Sequence, residues 1–300
     1  MGFLTVPAIA DTVARFMGAF SPPPAKGLLG FPEIPGDTHI VQVPTRHGPV
    51  ACTVYAPPHR DKDATGVYVN FHGGGFVVPG RRQDDPWCRY LASKAGVYVI
   101  NVEYDTAPRV RFPVPVEQAH DVSLWAARSE HPWHGRPIAI GGQSAGGNLA
   151  AGAARLAWEQ GQDHIAFQVL HYPPLDLVTD ARRKHSPAKR PVIRGWMRDV
   201  FDTAYVPRAA DREDRLASPA WGTNGDSLAG IAPAIVATCE FDRLRAEGAA
   251  YAEKLKAVGA LLAYVEIPQT DHGYNLLTDR GTAERGYGVL APLISANLAQ

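Results

Sequence analysis

From Val67 onward the chain alternates short apolar runs with longer stretches of helical character, and few folds accept that pattern. The runs cover residues 67–71, 97–102, 138–140, 169–172, 235–238 and 263–267. They are rich in β-branched and aromatic residues, as expected of strands covered on both faces. Between them lie helical segments at 84–95, 116–128, 145–159, 246–258 and 282–298, three of which stop at Gly96, Gly161 and Gly259. Strands alternating with helices of this length predict an α/β architecture, a mostly parallel central sheet with helices on both faces. Ahead of this region, residues 39–45 and 50–56 alternate apolar and polar residues around Arg46-His47-Gly48, the pattern of two antiparallel strands and a turn.

Two segments stand outside the alternation. Residues 1–35 read as a helix followed by a connector rich in proline and glycine, from Ser21-Pro22-Pro23-Pro24 to Pro35-Gly36. Residues 179–230 contain a basic stretch (Arg182, Arg183, Lys184, Lys189, Arg190, Arg194) and then a helix at 195–204. The stretch reads as a solvated face. The expectation is a single domain over 1–300, with a helical cap formed by about 1–38 and about 179–225. Such a cap would lie over the C-terminal edge of the sheet, where open α/β sheets bind ligands.

Composition narrows the function classes. Thirty basic residues balance thirty acidic ones, so no global field draws the chain to nucleic acid or an anionic membrane. Cys52, Cys88 and Cys239 are too few and too scattered for a disulfide framework or a zinc site. Free thiols suit a reducing compartment, and a cytoplasmic location is expected. The apolar start of the chain has no basic flank and is broken by Asp11 and Arg15, which argues for an amphipathic helix over a signal peptide. No run approaches the roughly 20 apolar residues of a membrane span.

The chemistry gathers in two glycine-rich motifs. Gly142-Gln143-Ser144-Ala145-Gly146 fits G-x-S-x-G between a strand and a helix. At that corner a serine is held in a strained conformation, and small residues two positions on either side avoid clashes. The serine then sits at a helix N-terminus, which favours developing negative charge. His72-Gly73-Gly74-Gly75-Phe76 follows the 67–71 strand directly. Tetrahedral intermediates of acyl transfer need N–H donors aimed at the oxyanion, and consecutive glycines let the backbone approach the reacting carbonyl. The N–H groups of Gly73, Gly74 and Ala145 are the expected oxyanion hole.

Of the eleven histidines, His164, His171, His185 and His272 follow Ser144. In chain order serine, acid, histidine, only His272 lies beyond the last predicted strand, and it is the expected general base. Asp242, on the loop after the 235–238 strand, is the expected acid that orients it. Glu240 lies two residues earlier, next to the strand, and Asp271 adjoins His272, where neighbouring side chains usually diverge.

These residues resemble the hormone-sensitive-lipase-like family of α/β-hydrolases, which includes bacterial esterases and arylacetamide-deacetylase relatives. Residues 72–76 look like the family's HGGGF, 142–147 like its GDSAGG, Asp242 like its D-x-L acid motif, and His272-Gly273-Tyr274 like its H-G-F. Tyr104, Ala107 and Pro108, then Phe112-Pro113 and Asp121, partly match two further stretches. The resemblance spans about residues 65–300. It implies an α/β-hydrolase fold, hydrolysis of carboxylic esters without cofactor or metal, and a cap built partly from the N-terminus. It also suggests a homodimer, which no motif decides. Gln143 departs from the family aspartate, Asp105-Thr106 from Arg-Leu, Arg109 from Glu, and Arg243 from Pro.

The resulting expectation is a serine carboxylesterase acting on a small-molecule ester and water through an acyl-serine, with short to medium acyl chains because no long apolar lid is evident. Two alternatives compete: an amidase or deacetylase on the same triad, and a non-catalytic ligand-binding protein of the same fold.

Overall fold

Runs of valine, isoleucine and aromatic residues build an eight-stranded sheet in the computed structural model, which describes residues 2–19, 34–58, 64–128 and 130–300. The strands are β1 (Thr38–Val43), β2 (Val50–Tyr55), β3 (Val67–Phe71), β4 (Tyr98–Glu103), β5 (Ile138–Gln143), β6 (Phe167–His171), β7 (Ala234–Cys239) and β8 (Leu261–Ile267). Their order across the sheet is β1-β2-β4-β3-β5-β6-β7-β8. β2 runs antiparallel to β1 and β4, and every pair from β4 to β8 is parallel. The hairpin and the parallel sheet are those expected.

Period-two alternation sends successive side chains to opposite faces. Val67, Val69 and Phe71 face one core, while Tyr68 between them faces the other. The first core is closed by α3 (Val114–Ala126), α4 (Ala145–Glu159) and α6 (Arg245–Ala257); the second by α2 (Asp85–Tyr90) and α8 (Arg280–Leu298). α4 is rich in alanine, a strong helix former that also lets helices approach closely. A Cβ on its Gly152 would stand 2.8 Å from Val116 of α3. Each large aliphatic chain buried this way contributes about 1.5–3 kcal/mol.

Two details differ from the sequence expectation. Residues 84–95 are not one helix: a 3-10 turn (Arg81–Asp84) leads into α2, which continues as a π-helical turn (Leu91–Ala95) ending at Gly96 in the left-handed conformation. β8 is not covered on both faces. It is an edge strand, and Leu262 and Tyr264 are exposed.

The remaining helices are α1 (Pro7–Ala19), α5 (Gly195–Tyr205), which lies in the long connection between β6 and β7, and the single turn α7 (Tyr274–Leu277). α1 packs against α5. Arg111 joins them, its guanidinium donating to Asp11 of α1 at 2.6 Å and to the Ala204 carbonyl of α5 at 3.0 Å. The Ser21–Pro24 connector lies outside the described residues. No helix among them is long and apolar enough to cross a membrane.

Candidate active site

The loops after β3, β5, β7 and β8 converge at one edge of the sheet. Ser144 separates β5 from α4 with φ 53° and ψ −120°, a conformation that costs a non-glycine residue about 1–3 kcal/mol. Its N–H donates to the His171 carbonyl at the end of β6 at 2.9 Å. The flanking glycines are sterically required. A Cβ on Gly142 would lie 2.3 Å from the Phe71 carbonyl oxygen, and one on Gly146 only 1.8 Å from it.

His272 lies in the loop after β8. Its Nε2 is 2.8 Å from Ser144 Oγ, and its Nδ1 is 2.8 Å from Asp242 Oδ2. The structure therefore brings Ser144, His272 and Asp242 into one hydrogen-bonded line. Asp242 is buried, and its other oxygen accepts the Leu244 N–H at 2.9 Å. The two other acids have different partners. Glu240, just past the end of β7, accepts the Gln269 N–H at 2.7 Å. Asp271 accepts the His272 N–H at 2.7 Å and the Val192 N–H at 2.8 Å, tying the segment before α5 to the histidine loop. Burial raises the Asp271 pKa.

The glycine loop after β3 lies beside the serine. A Cβ on Gly73 would sit 3.1 Å from the Gln143 carbonyl oxygen and 3.5 Å from Ser144 Cβ. Gly74 has φ +114° and Gly75 φ +60°, which only glycine adopts readily. Among the described residues, the N–H groups of Gly73, Gly74 and Ala145 donate to no protein acceptor. His72 is a strut for this loop. Its Nδ1 donates to the Gly73 carbonyl at 2.7 Å, and its ring stacks on Tyr104 at 4.2 Å. The Tyr104 hydroxyl donates to the His72 carbonyl at 2.8 Å. From above, the Phe201 ring of α5 meets Gly75 so closely that a Cβ there would stand 2.6 Å from it.

A family model described as an alpha/beta hydrolase fold matches residues 68–276. The chain belongs to the hormone-sensitive-lipase-like α/β-hydrolases. The carboxylesterase NlhH of Mycobacterium tuberculosis is 34% identical over 226 residues, covering 74% of this chain and 70% of that protein. The carboxylic ester hydrolase LipN of the same organism is 30% identical over 278 residues, 90% of this chain and 73% of its own length. Among solved structures, the thermostable carboxylesterase EstE1, cloned from a metagenomic library, aligns with TM-score 0.81 at 29% identity, covering 99% of both chains.

Several residues around the site of this α/β-hydrolase escaped sequence reasoning. His171 is fully buried behind His272; burial first, and the nearby His272 second, hold its pKa down at about 3, so it stays neutral. The Tyr172 ring meets His272 edge-on at 4.9 Å. Asn148, one turn into α4, donates to the carbonyls of Pro174 and Ala217, both at 2.8 Å. Lys184, read as part of a solvated face, is buried and paired with buried Glu247. Arg183, Lys189 and Arg190 are exposed as expected. No cluster of three or more histidine, cysteine or acidic residues suited to a metal occurs among the described residues.

Proposed function

We propose that this protein is a serine carboxylesterase that hydrolyses short- to medium-chain esters through an acyl-serine. His272 Nε2 takes the proton of Ser144 Oγ as the oxygen attacks the ester carbonyl. Asp242 keeps the imidazole in the required tautomer and stabilises the imidazolium without taking the proton. The N–H groups of Gly73, Gly74 and Ala145 hold the oxyanion, and His272 returns the proton to the departing alcohol. Water, activated by the same histidine, then releases the acid. The observation that carries this reading is the 2.8 Å–2.8 Å hydrogen-bonded line from Ser144 through His272 to Asp242.

α1 and the 179–225 segment act as the cap in this reading. The preference for shorter acyl groups draws support from Phe201, whose ring presses on Gly75 and limits space above the oxyanion loop. The test is hydrolysis of p-nitrophenyl esters of increasing acyl length by the wild-type protein and Ser144→Ala. Activity that peaks at short or medium chains and vanishes in the variant is expected. A folded wild-type protein that cleaves no ester would refute the reading.

A further inference from the structure

Asp84 is the most deeply buried carboxyl near the site that the mechanism leaves unused. It ends the 3-10 turn that follows the glycine loop, and its side chain has no solvent exposure. Three amide side chains gather around it: Asn70 of β3, Gln83 of its own turn, and Gln143 of β5. Asn70 Nδ2 donates to Asp84 Oδ2 at 2.9 Å and also to Asn101 Oδ1 of β4 at 2.9 Å. Asn70 lies two residues before His72, and Gln143 immediately precedes Ser144.

The orientation of Gln143 is set by its neighbours. Its Oε1 accepts from Asn275 Nδ2 and lies 2.6 Å from the Tyr172 hydroxyl, so Nε2 is left to face the carboxyl. Asp84 Oδ1, Gln83 Nε2 and Gln143 Nε2 are buried and none has a hydrogen-bond partner among the described residues of the free site. Gln83 Nε2 lies beside the glycine loop, 3.5 Å from where a Cβ on Gly73 would stand. Hydrogen bonds that are loose in a free site commonly tighten once substrate is bound. The acid that the family motif carries at position 143 is here an amide, and a carboxyl stands against it from another segment.

We propose that Asp84 is a positioning residue for ester hydrolysis, acting through Asn70, Gln83 and Gln143 to hold the oxyanion loop against the strand that carries Ser144. The carboxyl accepts from Asn70, on the strand that leads into the glycine loop, and Gln143 Nε2 turns toward it from beside Ser144, so the distance between Gly73 and Ser144 depends on it. Burial pushes its pKa up to about 7, against the pull of the three amides. Among the described side chains, the groups facing it are Tyr68 from β3, Tyr104 after β4, Tyr172 after β6, Cys88 from α2 and Tyr287 from α8, none of them a cation. Asp85, its neighbour in sequence, is turned to Tyr55 and Arg89. Protonation would replace one acceptor with a donor aimed at amide N–H groups.

The inference rests on the esterase reading, and its test separates the two. Asp84→Asn keeps the shape but presents N–H groups to amide donors. Measured with p-nitrophenyl butyrate between pH 5 and 9, its kcat is expected to fall about 10²-fold, the usual cost of roughly 1 Å of misplacement, with KM changed less than about threefold. The acid limb of its kcat profile should become shallower, because the carboxyl at position 84 no longer titrates there. Gln83→Ala, at a half-buried position of the 3-10 turn, should lower kcat in the same way by about tenfold. An Asp84→Asn protein with wild-type kcat and pH profile, whatever its melting temperature, overturns the proposal. Should that variant not fold, wild-type kcat in Gln83→Ala overturns it instead. Failure of the esterase reading shows separately, as Ser144→Ala retaining wild-type activity, and overturns both.

Discussion

Gly146→Ala tests how tightly the corner that carries Ser144 is built. The new Cβ would stand 1.8 Å from the Phe71 carbonyl oxygen, 2.5 Å from its carbon and 2.8 Å from the His72 oxygen. A carbon tolerates a carbonyl oxygen at about 3.3 Å, so roughly 1.5 Å of relative motion is needed. All three clashing atoms are backbone. The motion must therefore come from the start of α4, which carries Ala145, or from the strand end that leads into Gly73 and Gly74. Overpacking of this kind costs about 1–3 kcal/mol of stability. Misplacing the N–H groups of Gly73, Gly74 and Ala145 by 1 Å or more should reduce kcat for p-nitrophenyl butyrate by at least about 10²-fold. Gly161→Ala is the control. Gly161 also has a left-handed φ, +67°, but nothing lies within 4 Å of its added Cβ. It should lose about 1–2 kcal/mol with kcat intact. A Gly146→Ala protein that keeps more than half of wild-type kcat, with an unchanged melting temperature, would show that this close approach does not position the site.

Three further outcomes are expected. Asp242→Asn should lower kcat by about 10⁴ through loss of the productive histidine tautomer, while Asp271→Asn should cost far less; equal losses would mean the acid has been misassigned. Lys184→Met leaves Glu247 charged, buried and unpaired, and should destabilise the protein by about 3–5 kcal/mol in urea melts, whereas adding Glu247→Leu should restore part of the loss. The restoration is incomplete because Glu247 also accepts the Leu175 N–H at 3.1 Å. Burial, with smaller help from His120, holds His164 down at about 4, so between about 4 and 6.5 the unfolded chain binds a proton that the folded chain refuses. Stability at this group therefore falls as pH drops through that window, and His164→Gln should flatten the slope of melting temperature against pH there.

The frame of this protein was legible because its strands are short, apolar and separated by helices with clear stops. The reading weakened where periodicity carries little information. Residues 84–95 look like one helix, yet Pro86 at its first turns and the wound segment before Gly96 divide it into three backbone types. β8 reads as a buried strand because Ala263, Val265 and Ile267 alternate with Leu262 and Tyr264, and only the strand order reveals that it lies at an edge. The candidate triad was legible through chain order and loop position. Its setting was not. Asn70, Gln83 and Asp84 read singly as ordinary polar residues, and what unites them is a carboxyl shared across three elements. Lys184 misled for the same reason, since its partner Glu247 lies far along the chain in α6.

The hydrogen bond from Val192 to Asp271 bears on how such a hydrolase can be re-engineered. Asp271 grips the 179–230 insertion with one oxygen and the backbone of His272 with the other. Exchanging the insertion for one from a relative would also change the footing of His272. A chimera that transplants the insertion alone inherits a mismatched joint. The exchangeable module comprises both pieces, the segment around Val192 and the loop from Pro268 to Gly273, transplanted together.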